Sequence, residues 1–383
     1  MSKQDSNSET SRQRHALKHF IKNNCLNLRH PLSLNFSFNI LKKTKNISTA
    51  SAEKIIARRR KSVNVPQLLE AVLNGNMTAL SRSITYIESR AEAHKEIAQR
   101  IINGCLPHAN NSLRLGITGV PGVGKSTFIE ALGNLLIAQG KKVAVLAVDP
   151  TSGLSHGSIL GDKTRMETLS VNPRAFIRPS ASGDSLGGVA RKTREAIILC
   201  EAAGFDVIIV ETVGVGQSEV AVHSMTDFFL LLKLAGAGDE LQGIKRGIIE
   251  MADAILINKA DGEMQKPAAL ARSAFARALH LYPPKASEWQ PKVATCSALQ
   301  NTGVKNAWKI VQNYLKTTQS NGYFEQNRKN QNAYWLRQSI ENALKDDFYG
   351  KKVVKNSFPE YLEKINAGEI TPFQAAVELL KLR

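Results

Sequence analysis

Short apolar runs alternate with segments of helical periodicity between residues 113 and about 316. The runs are RLGIT, KVAVLAV, AFIRP, DVIIVET, DFFLLL, AILINK and KVATCS. Runs that are rich in Val and Ile are typical of strands buried on both faces of a parallel sheet. The alternation of such strands with helices predicts a doubly wound α/β domain with a mostly parallel sheet.

Amphipathic segments flank this domain on both sides. Residues 66–105 have apolar spacings near three and four, which predict two or three helices, and Asn-Gly-Asn at 74–76 should end the first. Beyond Lys316 the pattern predicts a helical extension, in which Thr371 caps the last helix and Pro372 begins it. We therefore expect a basic, disordered leader at 1–60, a helical segment at 61–112, the α/β domain at 113–316 and a C-terminal helical arm at 317–383.

The net charge of +18 is concentrated at the amino end of the chain. Residues 1–65 carry 14 basic and three acidic side chains, a net charge of +11, which leaves +7 for the other 318 residues. A basic arm can contact RNA, membranes or acidic partners, but its polar composition favours a solvated tail. We expect no nucleic-acid partner. We also expect no membrane span, because no apolar run approaches the roughly 18 residues that a span needs.

The four cysteines and the amino terminus bear on the compartment. Cys25, Cys105, Cys200 and Cys296 lie far apart without a C-x-x-C pair, which argues against a zinc knuckle or a disulfide framework and favours reduced thiols. The start, MSKQDSNSET, has no apolar core for a secretory signal, and we predict a cytoplasmic protein. The basic stretch SRQRHALKHFIKNN leaves an alternative open, in which residues 1–50 are a transit peptide to the mitochondrial matrix.

A phosphate-binding loop connects the first predicted strand of the α/β domain to its helix. The sequence GVPGVGKS at 119–126 matches G-x-x-x-x-G-K-[ST] and is followed by Thr127. Its members are Gly119, Val120, Pro121, Gly122, Val123, Gly124, Lys125, Ser126 and Thr127. Glycines allow backbone N–H groups to face phosphate oxygens, and the helix start adds positive charge. We expect Lys125 to reach the β- and γ-phosphates and the Ser126 hydroxyl to ligate Mg²⁺.

Two later motifs indicate that the base is guanine. Asn258-Lys259-Ala-Asp261 ends the strand AILI and matches the N-K-x-D pattern. The Asp261 carboxylate can accept hydrogen bonds from guanine N1–H and from its exocyclic amine, whereas adenine presents no such pair of donors. Ser297-Ala298-Leu299 follows the next strand and matches a loop whose backbone N–H meets guanine O6. The order of the motifs therefore predicts GTP and GDP rather than ATP.

Three carboxylates are candidates for the metal and for hydrolysis. Glu211 ends DVIIVET before a Gly-rich stretch with Gly214 and Gly216, as expected of a Mg²⁺-binding acid beside a loop that senses the γ-phosphate. Asp149 follows the strand KVAVLAV, and Asp162 lies in the polar stretch GDKTRM. We assign catalytic roles to Lys125, Asp149, Asp162 and Glu211, and metal ligation to Ser126, Asp149, Asp162 and Glu211. The hydrolytic base stays open, with Gln217 as a conjecture.

Longer strings extend these motifs to a known family. VLAVDPTS, GSILGDKTRM, LGGVARKTREAI, ETVGVGQSE and GAGDELQGIKRGIIEMAD, together with the phosphate loop and NKADG, resemble the MeaB/ArgK/MMAA group of GTPases within the SIMIBI class of P-loop proteins. The resemblance runs from about residue 66 to the C-terminus and is densest over 113–262. The first 60 residues lie outside it.

The resemblance implies a GTP-hydrolysing chaperone that uses Mg²⁺. Such a protein would gate the delivery of adenosylcobalamin to methylmalonyl-CoA mutase, or to a related acyl-CoA mutase, and would protect that enzyme. It also implies a homodimer joined by the C-terminal arm, and it makes residues 236–246 a mobile switch that meets the mutase.

Two alternatives remain at the level of the sequence. One is an ATPase or kinase linked to lysine, arginine and ornithine transport, which would transfer phosphate to a binding protein. The other is a GTPase that binds nucleic acid through its basic leader, with an affinity that falls steeply with salt.

Overall fold

The computed structural model describes residues 63–148, 166–179, 186–212, 218–236 and 246–382. The chain divides into two units, Met1–Val63 and Asn64–Arg383, and all the elements below lie in the second. The predicted leader therefore falls outside the described residues, as do Asp149, Asp162, Gly214, Gly216 and Gln217. Of the predicted switch at 236–246, only its first and last residues are described.

In the part of the chain that is described, three helices precede the sheet. They are α1 (Val65–Leu73), α2 (Met77–Glu88) and α3 (Glu92–Cys105), followed by a 3₁₀ turn at Leu106–His108. Asn74 ends α1, and Asn76 caps α2 through a 2.9 Å hydrogen bond from the Ala79 N–H to its side chain. The Asn-Gly-Asn break is thus confirmed, since its two asparagines satisfy backbone groups at both helix ends.

Seven parallel strands form the central sheet in the order β3-β2-β4-β1-β5-β6-β7. The strands are β1 (Leu113–Gly119), β2 (Val143–Val148), β3 (Ala175–Arg178), β4 (Val207–Thr212), β5 (Phe228–Leu234), β6 (Ala254–Asn258) and β7 (Lys292–Thr295). The connecting helices are α4 (Lys125–Ala138), α5 (Glu167–Ser170), α6 (Leu186–Ala202), α7 (Ser218–His223), α8 (Arg246–Met251) and α9 (Gln265–Leu279). The predicted doubly wound fold is confirmed, with all seven predicted strands present.

Helices cover both faces of the sheet. Phe128 of α4 packs in one apolar cluster with Leu230 of β5, whereas Phe275 of α9 packs in another with Leu231. Successive residues of a strand point to opposite faces, so the two clusters lie on opposite sides. Burial on both sides explains why these strands are continuous apolar runs rather than alternating ones.

Four helices complete the chain: α10 (Val304–Ser320), α11 (Tyr323–Gly350), α12 (Lys352–Asn366) and α13 (Pro372–Lys381). The predicted boundary after Lys316 lies in the last turn of α10. Thr371 caps α13 in a reciprocal capping box with Gln374, and Pro372 is its first residue, as predicted.

An ion pair fastens α11 to the amino ends of the central strands. Arg328 donates to both carboxylate oxygens of Asp227, from Nε at 2.8 Å and from Nη2 at 2.7 Å. It also donates to the carbonyl oxygens of Asn110 and Ser112, before β1. Asp227 in turn accepts from the backbone N–H of Arg114 at 2.8 Å. The arm is thereby tied to the start of the strand that leads to the phosphate loop.

The three cysteines that the structure describes are free and buried. Burial raises the pKa of the Cys105 thiol to about 11 and that of Cys296 to about 12, and it also raises the pKa of Cys200. These thiols stay protonated and unreactive near neutral pH, because the thiolate is the nucleophile.

Within the ranges that are described, no helix has the length and apolar character needed to cross a membrane.

Candidate nucleotide-binding site

The phosphate loop lies at the carboxyl edge of the sheet, between the end of β1 and the start of α4. Gly122 and Gly124 have φ angles of +79° and +93°, which L side chains rarely adopt. A Cβ at Gly124 would lie 2.7 Å from Nδ2 of Asn258. A Cβ at Gly119 would lie 2.6 Å from the carbonyl oxygen of Leu232 in β5. Glycine is therefore required where the loop passes closest to its neighbours.

Lys125, the first residue of α4, folds back over this loop. Its Nζ donates to the carbonyl oxygen of Gly119 at 2.8 Å and to that of Val120 at 3.4 Å. The side chain is buried, while Val120, Pro121 and Gly122 are exposed. The ammonium group is thus held inside the curve of the loop, and the rim of the loop is open to a ligand.

Asn258, the last residue of β6, connects the guanine motif to the phosphate loop. Its Nδ2 donates to the carbonyl oxygen of Val123 at 2.8 Å. Its Oδ1 accepts from the backbone N–H of Ala298 at 3.2 Å and from Sγ of Cys296 at 3.4 Å. One buried amide therefore fixes three segments relative to one another.

Asp261 and Ser297 meet directly beside this amide. The Ser297 hydroxyl donates to Oδ2 of Asp261 and accepts from the backbone N–H of Gln300 at 3.2 Å. Lys259 precedes them with a φ angle of +56°, and the N–H of Ala260 donates to the carbonyl oxygen of Cys296 at 3.0 Å. The second carboxylate oxygen, Oδ1, is the one that Ser297 leaves for a ligand. Leu299, in contrast, is 80% exposed.

Glu211 lies near the tip of β4, which neighbours β1. The parallel register places it opposite Ile117, two residues before Gly119. The side chain is only 8% exposed. The next residue, Thr212, donates from Oγ1 to Oγ1 of Thr118 at 2.7 Å, a buried link between the two strand ends.

Most of the predicted site residues converge on this one edge of the sheet. The phosphate loop, Lys259, Asp261 and Ser297 with Ala298 and Leu299 follow strands that end there. Glu211 and Asn258 are among the last residues of two such strands. Ser126 and Thr127 lie in the first turn of α4. Asp149 and Asp162 fall outside the described residues, so their predicted roles stay predictions.

Sequence reasoning missed three contributors to the site. Thr118, Thr212 and Cys296 are buried side chains that hold strand ends or Asn258 in place. A hydroxyl at the tip of an apolar strand was the available signal for the two threonines. Nothing in the sequence marked Cys296, because its sulfur meets Asn258 only through the pairing of β6 with β7.

The residues present fit a guanosine nucleotide. At Gly122 a Cβ would meet no atom within 4 Å, so the loop is open there. Helix α4 begins at the loop with no acidic residue in its first turn, and Lys125 supplies a cation. A Mg²⁺ ion also fits the chemistry of the Ser126 hydroxyl and the Glu211 carboxylate, since Mg²⁺ takes few protein oxygens beside phosphate and water. Among the described residues no cluster of three His, Cys, Asp or Glu side chains could hold a metal without such help.

Comparisons with known proteins agree with this chemistry. The sequence model of the family described as methylmalonyl Co-A mutase-associated GTPase MeaB matches residues 80–353. A probable GTPase of Mycobacterium tuberculosis is 48% identical over 318 residues, which cover 83% of this chain and 95% of the relative. A mouse protein named methylmalonic aciduria type A homolog, mitochondrial, is 40% identical over 327 residues, which cover 83% and 79%.

A solved structure matches over almost its whole length. It is described as a LAO/AO transport system kinase, and it superposes with a TM-score of 0.68 at 36% identity, covering 84% of this chain and 99% of its own. The fold, the phosphate loop, the guanine motif and these similarities lead to one conclusion. The chain belongs to the family of methylmalonyl-CoA mutase-associated GTPases, MeaB, and is an enzyme that binds guanine nucleotide and hydrolyses GTP.

Proposed function

We propose that this GTPase uses Mg²⁺ and acts as a chaperone that gates the delivery of adenosylcobalamin to methylmalonyl-CoA mutase, or to a related acyl-CoA mutase, and protects that enzyme. The family description and the name of the mouse relative support this client. The single observation that carries the nucleotide part is the bond from Asn258 to Val123, because it joins the guanine motif to the phosphate loop.

The residues divide the work between binding and hydrolysis. Lys125 neutralises charge on the β- and γ-phosphates, and backbone N–H groups of the loop bind their oxygens. Ser126 and Glu211 would hold Mg²⁺, and Asp149 and Asp162 would be further ligands or groups that orient the attacking water. Bound Mg²⁺ would supply electrostatic stabilisation of the charge that develops on the transferred phosphoryl group.

Asp261, held by Ser297, recognises the guanine edge. Asp261→Asn should weaken GTP binding and favour xanthosine triphosphate, since the amide can donate to the C2 carbonyl that replaces the guanine amine. Competition between the two nucleotides measures this. Unchanged preference would contradict the assigned role of Asp261.

The first experiment on the client is steady-state GTP hydrolysis by the full chain, with and without a cobalamin-dependent acyl-CoA mutase from the same source. We expect turnover to rise when the mutase is added. A bovine serum albumin control at equal concentration removes crowding effects. Turnover that ignores the mutase would reject it as the client and leave the GTPase in place.

We also propose that the chain forms a homodimer through its C-terminal arm. On α11, Leu336, Ile340 and Leu344 recur every four residues and are 64%, 51% and 57% exposed. An apolar stripe of this kind on one helix face indicates a protein interface. Ile340→Glu should shift the mass from dimer to monomer in light scattering, whereas Asn306→Ala, on the exposed side of α10, should not.

The compartment and the transport alternative need separate tests. We propose that the protein is located in the cytoplasm, with the mitochondrial matrix as the alternative if residues 1–50 form a transit peptide.

The description of the solved relative favours the kinase as a second candidate function. That candidate requires transfer of the labelled γ-phosphate to a periplasmic binding protein, and release of all the label as inorganic phosphate would end it.

A further inference from the structure

The turn between α7 and β5 is held by one face of α11. Trp335 donates from Nε1 to the carbonyl oxygen of Ser224 at 3.0 Å. Gln331 donates from Nε2 to the carbonyl oxygen of Thr226 at 2.7 Å. With Arg328, these residues are spaced by three and four positions, which places all three on the same side of the helix. Gln331 is only 5% exposed.

The same turn is continuous with α7. The N–H of Ser224 donates to the carbonyl oxygen of Val220 at 3.0 Å, and that of Met225 to Val222 at 3.1 Å. The Thr226 hydroxyl donates to the carbonyl oxygen of Val222 at 2.9 Å. The turn and the helix therefore form one hydrogen-bonded unit, since each carbonyl of the last helical turn accepts from a residue of the turn.

Helix α7 starts close in sequence to the nucleotide site. Only five residues separate Thr212, at the tip of β4, from Ser218, the first residue of α7. Ser218 and Val222 are fully buried. With six residues at about 1.5 Å each, α7 spans roughly 9 Å. The helix packs on β4, the strand that carries Glu211 near its tip, so the position of α7 bears directly on that strand.

We infer that Gln331 and Trp335 are positioning residues for GTP hydrolysis. They fix α7, which packs on β4, and so they hold the strand that carries Glu211, although neither side chain reaches the nucleotide. The inference rests on the proposed Mg²⁺ role of Glu211.

Arg328 is less suited to test this than the other two residues. It bonds the segment before β1 as well as Asp227, so its loss would affect the whole domain. Trp335→Phe keeps an aromatic ring and removes the N–H donor. Gln331→Met keeps the length of the side chain and removes its amide. Tyr334→Phe is the matched control, because it removes a hydroxyl from the exposed neighbour on the same helix.

The experiment measures kcat, KM and GTP affinity on the full chain, with kcat expressed per titrated nucleotide-binding site. Loss of one hydrogen bond of about 1 kcal/mol should lower kcat about fivefold in each variant and about 25-fold in the double variant. The dissociation constants of GTP and GDP should change less than twofold, and Tyr334→Phe should match the wild type. Counting titrated sites removes any contribution from unfolded protein.

Parallel assays of wild type and Glu211→Ala separate this inference from the proposed function. If Glu211→Ala lowers kcat while Gln331→Met and Trp335→Phe keep it, the positioning role is wrong and the Mg²⁺ role stands. If Glu211→Ala keeps the wild-type kcat, the Mg²⁺ role fails, and the positioning role that rests on it is overturned as well. A loss in nucleotide affinity equal to the loss in kcat would also overturn the inference, since it indicates general loosening of the site.

Discussion

The side-chain amide of Asn258 donates to the carbonyl oxygen of Val123 across 135 positions of sequence, at 2.8 Å. This bond makes the loop that would hold phosphates and the motif that would hold the base a single rigid unit. Both ends are buried, so neither group has water as a substitute partner.

Asn258→Ala should therefore weaken GTP and GDP alike. Removing the amide leaves the Val123 carbonyl and the Ala298 N–H without their partner, which costs about 1–3 kcal/mol, or roughly 5- to 150-fold in affinity. Isothermal titration with both nucleotides measures this. Asn306→Ala, on the solvent side of α10, is the control. Loss confined to GTP would contradict the bracing role, because the contact does not involve the γ-phosphate.

Alanine substitutions at two glycines of the phosphate loop distinguish the effect of a steric clash from the effect of backbone strain. Gly122→Ala meets no atom within 4 Å and suffers only its positive φ, whereas Gly124→Ala also places a Cβ 2.7 Å from Asn258. We expect Gly122→Ala to lower GTP affinity about tenfold, from about 1–2 kcal/mol of strain. Gly124→Ala should lower the GTP affinity further. The double variant Gly124→Ala with Asn258→Ala should lose less binding free energy than the two single variants lose in sum. Strictly additive effects would show that the close approach does not matter.

The ion pair between Arg328 and Asp227 should contribute strongly to stability. The Asp227 carboxylate is 1% exposed. Desolvation of Arg328 lowers its pKa, but the hydrogen bond and charge of Asp227, together with the charges of Glu201 and Glu325, raise that pKa above its usual value. Arg328→Met leaves a buried, uncompensated charge, so we expect a loss of about 3–5 kcal/mol in the free energy of unfolding.

Adding Asp227→Asn to the Arg328→Met variant should restore part of the lost free energy of unfolding. The second change removes the charge and keeps an oxygen for the Arg114 N–H. Urea unfolding of the single and double variants measures both effects. A double variant that is less stable than Arg328→Met would show that the unpaired charge is not the cause.

His223 at the end of α7 should make stability depend on pH. Burial lowers the pKa of this imidazole; the charge of Asp253 opposes the shift and that of Lys285 adds to it. Asp227 and Glu250 line the same pocket. The unfolded chain then binds the proton more readily than the folded one, so stability is complete above about pH 6.5 and falls as the pH drops below it.

Comparison with His223→Gln isolates this contribution. The free energy of unfolding of the wild type should fall more steeply between pH 7.5 and pH 5.5 than that of the variant, which cannot titrate at this position. Urea titrations at both pH values give the slopes. Equal slopes would show that His223 titrates alike in the folded and unfolded chains.

The fold was predictable in kind because its signals are local. Runs such as VIIVET and AILIN are apolar throughout, and Asn76 and Thr371 cap helices through hydrogen bonds that span three residues. A glycine loop that follows a strand and opens a helix is local as well. The order of the strands was not predictable, because each strand is compatible with several neighbours.

The sequence by itself determined the class of the domain, the phosphate loop and the identity of the base-binding motif. These depend on backbone conformations and hydrogen-bond donors that a few consecutive residues supply. Only the tertiary structure decided that Gly124 must lack a side chain because of Asn258, that Arg328 pairs with Asp227 and that Gln331 and Trp335 bind the turn after α7. Those contacts join residues about a hundred positions apart, and which partner is reached depends on the path of the packed chain rather than on any local preference.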